Sequence, residues 1–309
     1  MFCVPENKEM RQQTFETAEL KVELERSLGF ELKSLTRLDG ASSLNYRAVR
    51  ASDGLTFAVK CSPPERQVLF DRLVRHLDDV KGTKAVRRLF AETCPAKFRG
   101  FNVICLSWCP GERRFPDQLT DNQLAAFLDD YLEFSTTMQS STDLAPLDPV
   151  LDWRQKTLDQ CTGVWGGILR RMIERELTVE SVMYDPKRLK VIHGDFHHGN
   201  FLFVDGKVAG FFDLEEFCAG YPADDIVRYF VCAAEHLRWY QLGRLRRTYR
   251  LFAHAVRRLP WPKDEWRTAV NALLVRKLYF KIDGDDVCFG QLVNLLFRAR
   301  LYRRLRSLI

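Results

Sequence analysis

The chain has 309 residues, 46% hydrophobic and 28% charged, with a formal charge of +6 and a pI near 8.8. This is the composition of a soluble globular protein of one large domain or two lobes, which excludes collagen-like and disordered classes, and the mild basic excess falls short of a nucleic-acid-binding footprint. Nine cysteines without a C-x-x-C pair suggest neither a disulfide framework nor a zinc site.

Taken in order, the chain begins Met1-Phe-Cys-Val-Pro-Glu-Asn-Lys, without an apolar h-region, and no run of eighteen apolar residues follows. The expected location is therefore the cytoplasm. An amphipathic helix is predicted over Thr17-Ala-Glu-Leu-Lys-Val-Glu-Leu-Glu25, then strands over residues 30–38, 45–51 and 55–60, the last two joined by an Asp53-Gly54 turn. Between the first two strands, Gly40, Ala41, Ser42 and Ser43 form a small-residue turn whose backbone N–H groups could cover phosphates, or a hairpin tip with no ligand. Pro63-Pro64 open a helix over residues 65–80, with Val68, Leu69, Leu73 and Leu77 on one face. Phe101 to Gly111 reads as a buried strand stopped by Pro-Gly.

Beyond Gly111 the periodicity turns helical. Thr120-Asp-Asn-Gln123 is a capping box opening a helix over 124–138, and 153–176 is again helical but interrupted by Gly163 and Gly166-Gly167. Trp153 and Trp165 in that segment face either substrate or core. Helices are also predicted over 226–239, 241–259 and 263–283. In the last stretch, 291–309, Leu292, Leu295, Leu296, Ala299, Tyr302, Leu305 and Leu308 keep helical spacing, with arginines largely on the other side. Two readings stand: a helix docked on its own domain, or a basic amphipathic helix in peripheral contact with an anionic membrane.

The stretch that concentrates chemistry is Val191-Ile-His-Gly-Asp-Phe-His-His-Gly-Asn-Phe-Leu-Phe-Val204, followed by a turn and Phe212-Asp-Leu-Glu215. Short apolar strands alternate with turns and leave Asp195, Asn200 and Asp213 at the strand ends. Asn200 follows Asp195 by five residues, the spacing of the protein-kinase catalytic loop, and Asp213 stands where the kinase magnesium aspartate would. Phosphoryl transfer needs a carboxylate to orient the attacking hydroxyl, which suits Asp195, and oxygen ligands for magnesium, which suits Asn200 and Asp213. A surface hairpin with polar turns is the bland alternative. His197 and His198 hint at a metal pair, yet adjacent residues on a strand point to opposite sides.

His193-Gly-Asp-Phe-His-His-Gly-Asn200 with Phe212-Asp-Leu-Glu215 resembles the signature of the aminoglycoside phosphotransferase and choline kinase family of small-molecule kinases. That resemblance implies an α+β, protein-kinase-like two-lobed fold, with a small antiparallel-sheet lobe over 1–110 and a larger helical lobe over 111–309. It implies ATP and Mg2+ as cofactors and a small-molecule or sugar hydroxyl as acceptor, with no nucleic acid and no obligate protein partner. Gly194 stands where protein kinases carry Arg, and no long loop ending in Ala-Pro-Glu follows Asp213, so loop phosphorylation and protein substrates are disfavoured. Phe57-Ala-Val-Lys60 is similar to the third kinase strand, which gives Lys60 the phosphates, with Glu65 or Asp71 as its ion-pair partner. Leu106 to Cys109, including Trp108, would be the hinge that bonds adenine. Tyr221-Pro-Ala-Asp-Asp-Ile226 is similar to the family's turn into a helix and makes Asp225 a structural acceptor for the catalytic loop, with simple helix capping as the alternative. His193 reads as a loop-shaping residue, and Glu215 as a ligand of a second metal or a surface carboxylate.

The acceptor itself is left open. Glu215, Glu216, Glu235, Asp283, Asp285 and Asp286 could serve a cationic acceptor, whereas the basic excess fits a sugar of lipopolysaccharide or another membrane glycoconjugate at the inner membrane surface. A catalytically silent nucleotide-binding scaffold is the third reading.

Overall fold

The computed structural model describes residues 16–38, 43–80, 82–94, 96–137, 150–237, 241–282 and 289–309. The chain divides into two units, one of Met1–Pro110 with Gly210–Glu215 and one of Gly111–Ala209 with Glu216–Ile309. Gly210–Glu215, read from the sequence as part of the second region, thus belongs with the first.

In the first unit, α1 (Thr17–Leu28) precedes β1 (Leu32–Leu38), β2 (Leu44–Arg50), β3 (Thr56–Ser62), α2 (Gln67–Asp79), β4 (Ala96–Phe98) and β5 (Phe101–Ser107). The strands form one antiparallel sheet in the order β1-β2-β3-β5-β4. Gly29, at φ 73°, ends α1 by donating its N–H to the Glu25 carbonyl, a left-handed cap that glycine adopts at little steric cost. Alternation then sorts the sheet. Tyr46, Ala48, Phe57, Val59, Val103 and Cys105 lie in a buried core with Leu20 and Leu24 of α1, while Asn45, Arg47, Ala58, Lys60, Ile104 and Leu106 share the other face by register. The predicted helix at Glu65 starts later, because Pro64–Arg66 forms a 3-10 turn before α2. Phe70, Leu73 and Leu77 are buried, whereas Val68, expected on the apolar face, is 70% exposed.

In the second unit the capping box forms as predicted: Thr120 N–H donates to Gln123 Oε1 at 2.9 Å and Gln123 N–H donates to Thr120 Oγ1 at 3.2 Å, opening α3 (Asp121–Thr137). The single helix expected over 153–176 is two, α4 (Val150–Gln160) and α5 (Gly163–Glu176). Gly163 takes φ 68°, and a Cβ on Gly166 would sit 2.7 Å from the Cys161 carbonyl carbon, so the two helices meet closely at that junction. After the short α6 (Val179–Val182), β6 (Lys190–Ile192) pairs with β9 (Cys218–Gly220), and β7 (Phe201–Val204) pairs with β8 (Lys207–Phe211). The helices α7 (Pro222–His236), α8 (Leu242–Arg258), α9 (Lys263–Tyr279) and α10 (Phe289–Arg306) complete the unit.

Two features frame the stretch 191–204. The rings of Phe127, Tyr131, Phe196, Phe201, Phe203 and Tyr229 pack with neighbouring centroids 4.7–5.9 Å apart, and each such buried ring contributes roughly 1.5–3 kcal/mol. Around them α9, buried along most of its length, packs against α4, α7 and α10.

The end of the chain favours the docked reading of the last helix. Leu292, Leu295, Ala299, Tyr302 and Leu305 are buried, with α10 packed on α5 and α9, while Leu296 of the same stripe is 37% exposed. Several of its arginines are also engaged: Arg298 pairs with Glu235, and Arg303 and Arg306 pair with Glu176. Among the described residues no helix is long and apolar enough to cross a membrane.

Burial alone would raise the pKa of Glu176, but Arg303, Arg175 and Arg306 hold it at about 2 instead of 4.5. A depressed carboxylate contributes stability that is present above its unfolded pKa and is lost as pH falls through the folded value. Glu176→Gln is therefore expected to cost about 1–2 kcal/mol in urea unfolding at pH 7, with the gap to wild type closing between pH 4.5 and about 2. A pH-independent gap would contradict the ion-pair account.

Candidate active site

In the first unit the site is built around Lys60, which is 7% exposed at the end of the sheet face that α1 does not cover. Its Nζ lies 2.6 Å from Asp213 Oδ1 and 3.0 Å from Glu215 Oε1. Glu215, 1% exposed, also pairs with Arg66 at 3.2 Å and accepts the Ser62 hydroxyl at 3.3 Å. Burial by itself would depress the Lys60 pKa, but the two carboxylates outweigh it and raise it, so the ammonium persists.

This corrects the expected partner. Among the described residues Lys60 pairs with neither Glu65 nor Asp71. Glu65 is exposed on the 3-10 turn, and the exposed Asp71 accepts a bond from Gln67. Asp213 itself sits at φ 62°, a left-handed conformation rare for a non-glycine residue and frequent at functional turns.

The other residues expected at the nucleotide divide. Gly40, Ala41 and Ser42 lie outside the described residues; Ser43 is buried, with its carbonyl accepting from Asn45. Leu106 is buried on the Lys60 face opposite Ala58. Ser107 N–H donates to the Arg87 carbonyl at 2.7 Å, and the chain leaves β5 at Trp108, whose ring carries the Arg47 guanidinium.

In the second unit the loop after β6 is held from beneath by one carboxylate. Asp225, 1% exposed at the start of α7, accepts the N–H groups of His193 at 2.8 Å and Gly194 at 3.0 Å and the hydroxyl of Tyr131 at 2.8 Å. Burial raises its pKa despite these donors. Gly194 must be glycine: at φ 77°, a Cβ would stand 2.0 Å from the Glu216 carbonyl oxygen, which leaves no room for the arginine that protein kinases carry. The buried His193 ring approaches the Asp195 N–H through Nδ1 at 3.4 Å, in keeping with a loop-shaping residue.

On this frame Asp195 is clamped from three sides. Arg228 Nη1 lies 2.9 Å from Oδ1, His197 Nε2 lies 3.3 Å from Oδ2, and Asn200 Nδ2 donates to the Asp195 carbonyl at 2.8 Å and to Oδ2 at 3.2 Å. His197 Nδ1 accepts the Gly199 N–H at 2.9 Å, so in the neutral ring the proton sits on Nε2, facing Asp195. A Cβ on Gly199 would press to 2.6 Å from the His197 ring, which fixes this turn as glycine. Burial opposes ionisation of Asp195, but His197 and Arg228 hold its carboxyl well below the ordinary carboxylate range.

His198 points elsewhere. Its ring packs 4.1 Å from Phe115 and 5.1 Å from His236, and burial with nearby cations holds its pKa at about 4. Phe115 and His236 also line a cavity of about 270 Å³ with Leu237, Gln241 and Arg244. Trp153 proves to be core, stacked on Tyr279 at 5.7 Å, while Trp165 is 39% exposed.

The model of the APH phosphotransferase enzyme family matches residues 34–260, almost three quarters of the sequence. The chain belongs to that family. It is a phosphotransferase enzyme with the kinase-like fold of its solved relatives. An amicoumacin kinase bound to AMP-PNP and Ca2+ superposes with TM-score 0.65 at 14% identity, covering 97% of this chain and 96% of that one. An aminoglycoside phosphotransferase from Alicyclobacillus acidocaldarius gives 0.66 at 17%, covering 96% and 97%. A spectinomycin phosphotransferase bound to ADP and spectinomycin gives 0.57 at 13%, covering 96% and 95%. No curated protein matches the phosphotransferase in sequence.

Two side chains of these clusters carry no role in the sequence reading or a different one. Arg228, 6% exposed, lies three residues past Asp225 in the apolar run Ile226 to Ala234, where a lone arginine signals a buried charge that must have a partner. Glu215 follows Asp213 by two residues; its burial, not its spacing, separates it from a surface carboxylate. Arg228→Met should raise the Asp195 pKa toward its ordinary value and cost roughly 3 kcal/mol, read by carbon-13 NMR titration of the carboxyl and by thermal unfolding. An unmoved titration would mean that His197 alone holds Asp195 ionised.

Proposed function

We propose that this phosphotransferase moves the γ-phosphoryl group of ATP to a hydroxyl of a small molecule. The observation that carries the reading is the Asp195 clamp: an ionised carboxylate whose basicity is suppressed by Arg228 and His197 orients a hydroxyl more than it deprotonates it. Its free energy goes into alignment. The hydroxyl proton passes to Asp195 only as the new O–P bond forms, when the oxygen becomes acidic, and transfer of this loose kind depends on positioning and electrostatics above covalent help.

The residues present fit magnesium. Asn200 spends its Nδ2 on Asp195 and keeps Oδ1 as a hard oxygen ligand, and the Asp213 carboxylate is the second candidate. When bound, the cation would neutralise charge on the phosphate oxygens. Lys60 supplies a fixed positive charge for the same phosphates, and Glu215 keeps that ammonium in place through its own links to Arg66 and Ser62. The AMP-PNP and ADP bound in the solved relatives, and the amicoumacin and spectinomycin after which those enzymes are named, support this donor and this class of acceptor.

For the acceptor, the cavity beside His198 offers aromatic faces from Phe115 and His236 and polar groups from Gln241 and Arg244. Two carboxylates expected to serve a cationic acceptor are otherwise engaged: Glu215 by Lys60 and Arg66, and Glu235 by Lys277 and Arg298. Asp283, Asp285 and Asp286 lie outside the described residues. A membrane glycoconjugate acceptor is less favoured, because Arg298, Arg303 and Arg306 of the basic tail are paired within the protein, and a silent scaffold has no need of an ionised Asp195 held by buried Arg228.

Asp195→Asn should lower kcat by roughly 10²–10⁴-fold while MgATP affinity, measured by calorimetry, stays near wild type. Turnover retained in the variant would remove Asp195 from the role.

A further inference from the structure

Arg47 stands exposed on the sheet face away from the α1 core. The register sets it opposite Ala58, with Ala58 opposite Leu106, while Lys60 stands two residues farther along β3 between Asn45 and Ile104. Because directly opposed residues share a face, Arg47, Ala58, Leu106 and Lys60 all stand on the side of the sheet away from the α1 core. That face has a charged end at Lys60, Asp213 and Glu215 and, one strand repeat away, a small apolar floor of Ala58 and Leu106 flanked by Arg47. The Arg47 guanidinium carbon lies 5.3 Å from the centroid of the Trp108 ring, the residue at which the chain leaves β5.

We propose that Arg47 is a base-recognition residue of the phosphotransferase: its guanidinium, braced on Trp108, stacks on the purine ring of the donor nucleotide above the Ala58 and Leu106 floor. The proposal rests on reading the Lys60 face as the nucleotide site. A guanidinium suits this task because it is planar, weakly hydrated and always charged, so it offers one face to the indole and the other to a base. An ammonium cannot stack in that way. Trp108 holds Arg47 at the apolar end of the face, whereas a phosphate contact would need it at the Lys60 end, so the base is its partner. Stacking reads ring area, and a purine gains more from it than a pyrimidine.

The test is calorimetric titration of wild type, Arg47→Ala and Arg47→Lys with magnesium AMP-PNP, magnesium CTP and magnesium tripolyphosphate. Arg47 is exposed on the face of the sheet opposite the α1 core, so the variants should fold as wild type does. Both substitutions should weaken AMP-PNP roughly tenfold and CTP less, leaving tripolyphosphate within about twofold of wild type. Unchanged AMP-PNP affinity in Arg47→Ala would overturn the proposal alone. Parallel weakening of tripolyphosphate would also overturn it, by making Arg47 a phosphate contact. Wild type that binds no AMP-PNP would defeat the nucleotide reading beneath it.

Discussion

The functional loop of the second unit depends on one buried carboxylate. Asp225 gathers the amides of His193 and Gly194, two donors for which it is the acceptor, and the Tyr131 hydroxyl, which also reaches the Pro222 carbonyl. Its burial is uphill, as its raised pKa records, and His193, Tyr131 and, to a lesser extent, Arg228 one helical turn on offset part of that cost. That same arginine reaches Asp195. The loop anchor and the Asp195 carboxylate are therefore set by a single stretch of α7, and the glycine at 194 follows from how closely the loop is drawn down.

The first unit solves a related problem in another way. A lysine at the end of a buried strand stays charged only if carboxylates meet it, and here both come from the short segment that follows β8. The helix that the kinase layout would use, α2, contributes none among the described residues. Glu215 thereby ties Lys60, Ser62 and Arg66 into one network, while Asp213 meets the same lysine from a left-handed turn.

What could be read from the sequence follows the range of each interaction. The Thr120 capping box, the Asp53-Gly54 turn and the strands on either side of that turn, β2 and β3, rest on neighbours within a few residues, and they formed where the pattern put them. The spacing of Asp195, Asn200 and Asp213 was equally legible, because tight turns carry their own residue types. Pairings over long separations were not: Lys60 meets Asp213 at a distance of 153 residues in sequence, and no local signal distinguishes Glu215 from Glu65 as a partner. The last helix marks the same limit. Its spacing announces an apolar face in α10 but not whether lipid or protein covers it, and here α5 and α9 do. The break between α4 and α5 was signalled by glycines, yet its position came from the packing of Gly166 on Cys161.

The central claim is that this chain phosphorylates small molecules, and its most direct test is incubation with γ-labelled ATP, magnesium and fractionated cell extract. The account predicts label in a low-mass polar compound, in a bond that alkaline phosphatase cleaves. Label confined to protein or glycolipid, or released only as free phosphate across all fractions, would contradict it.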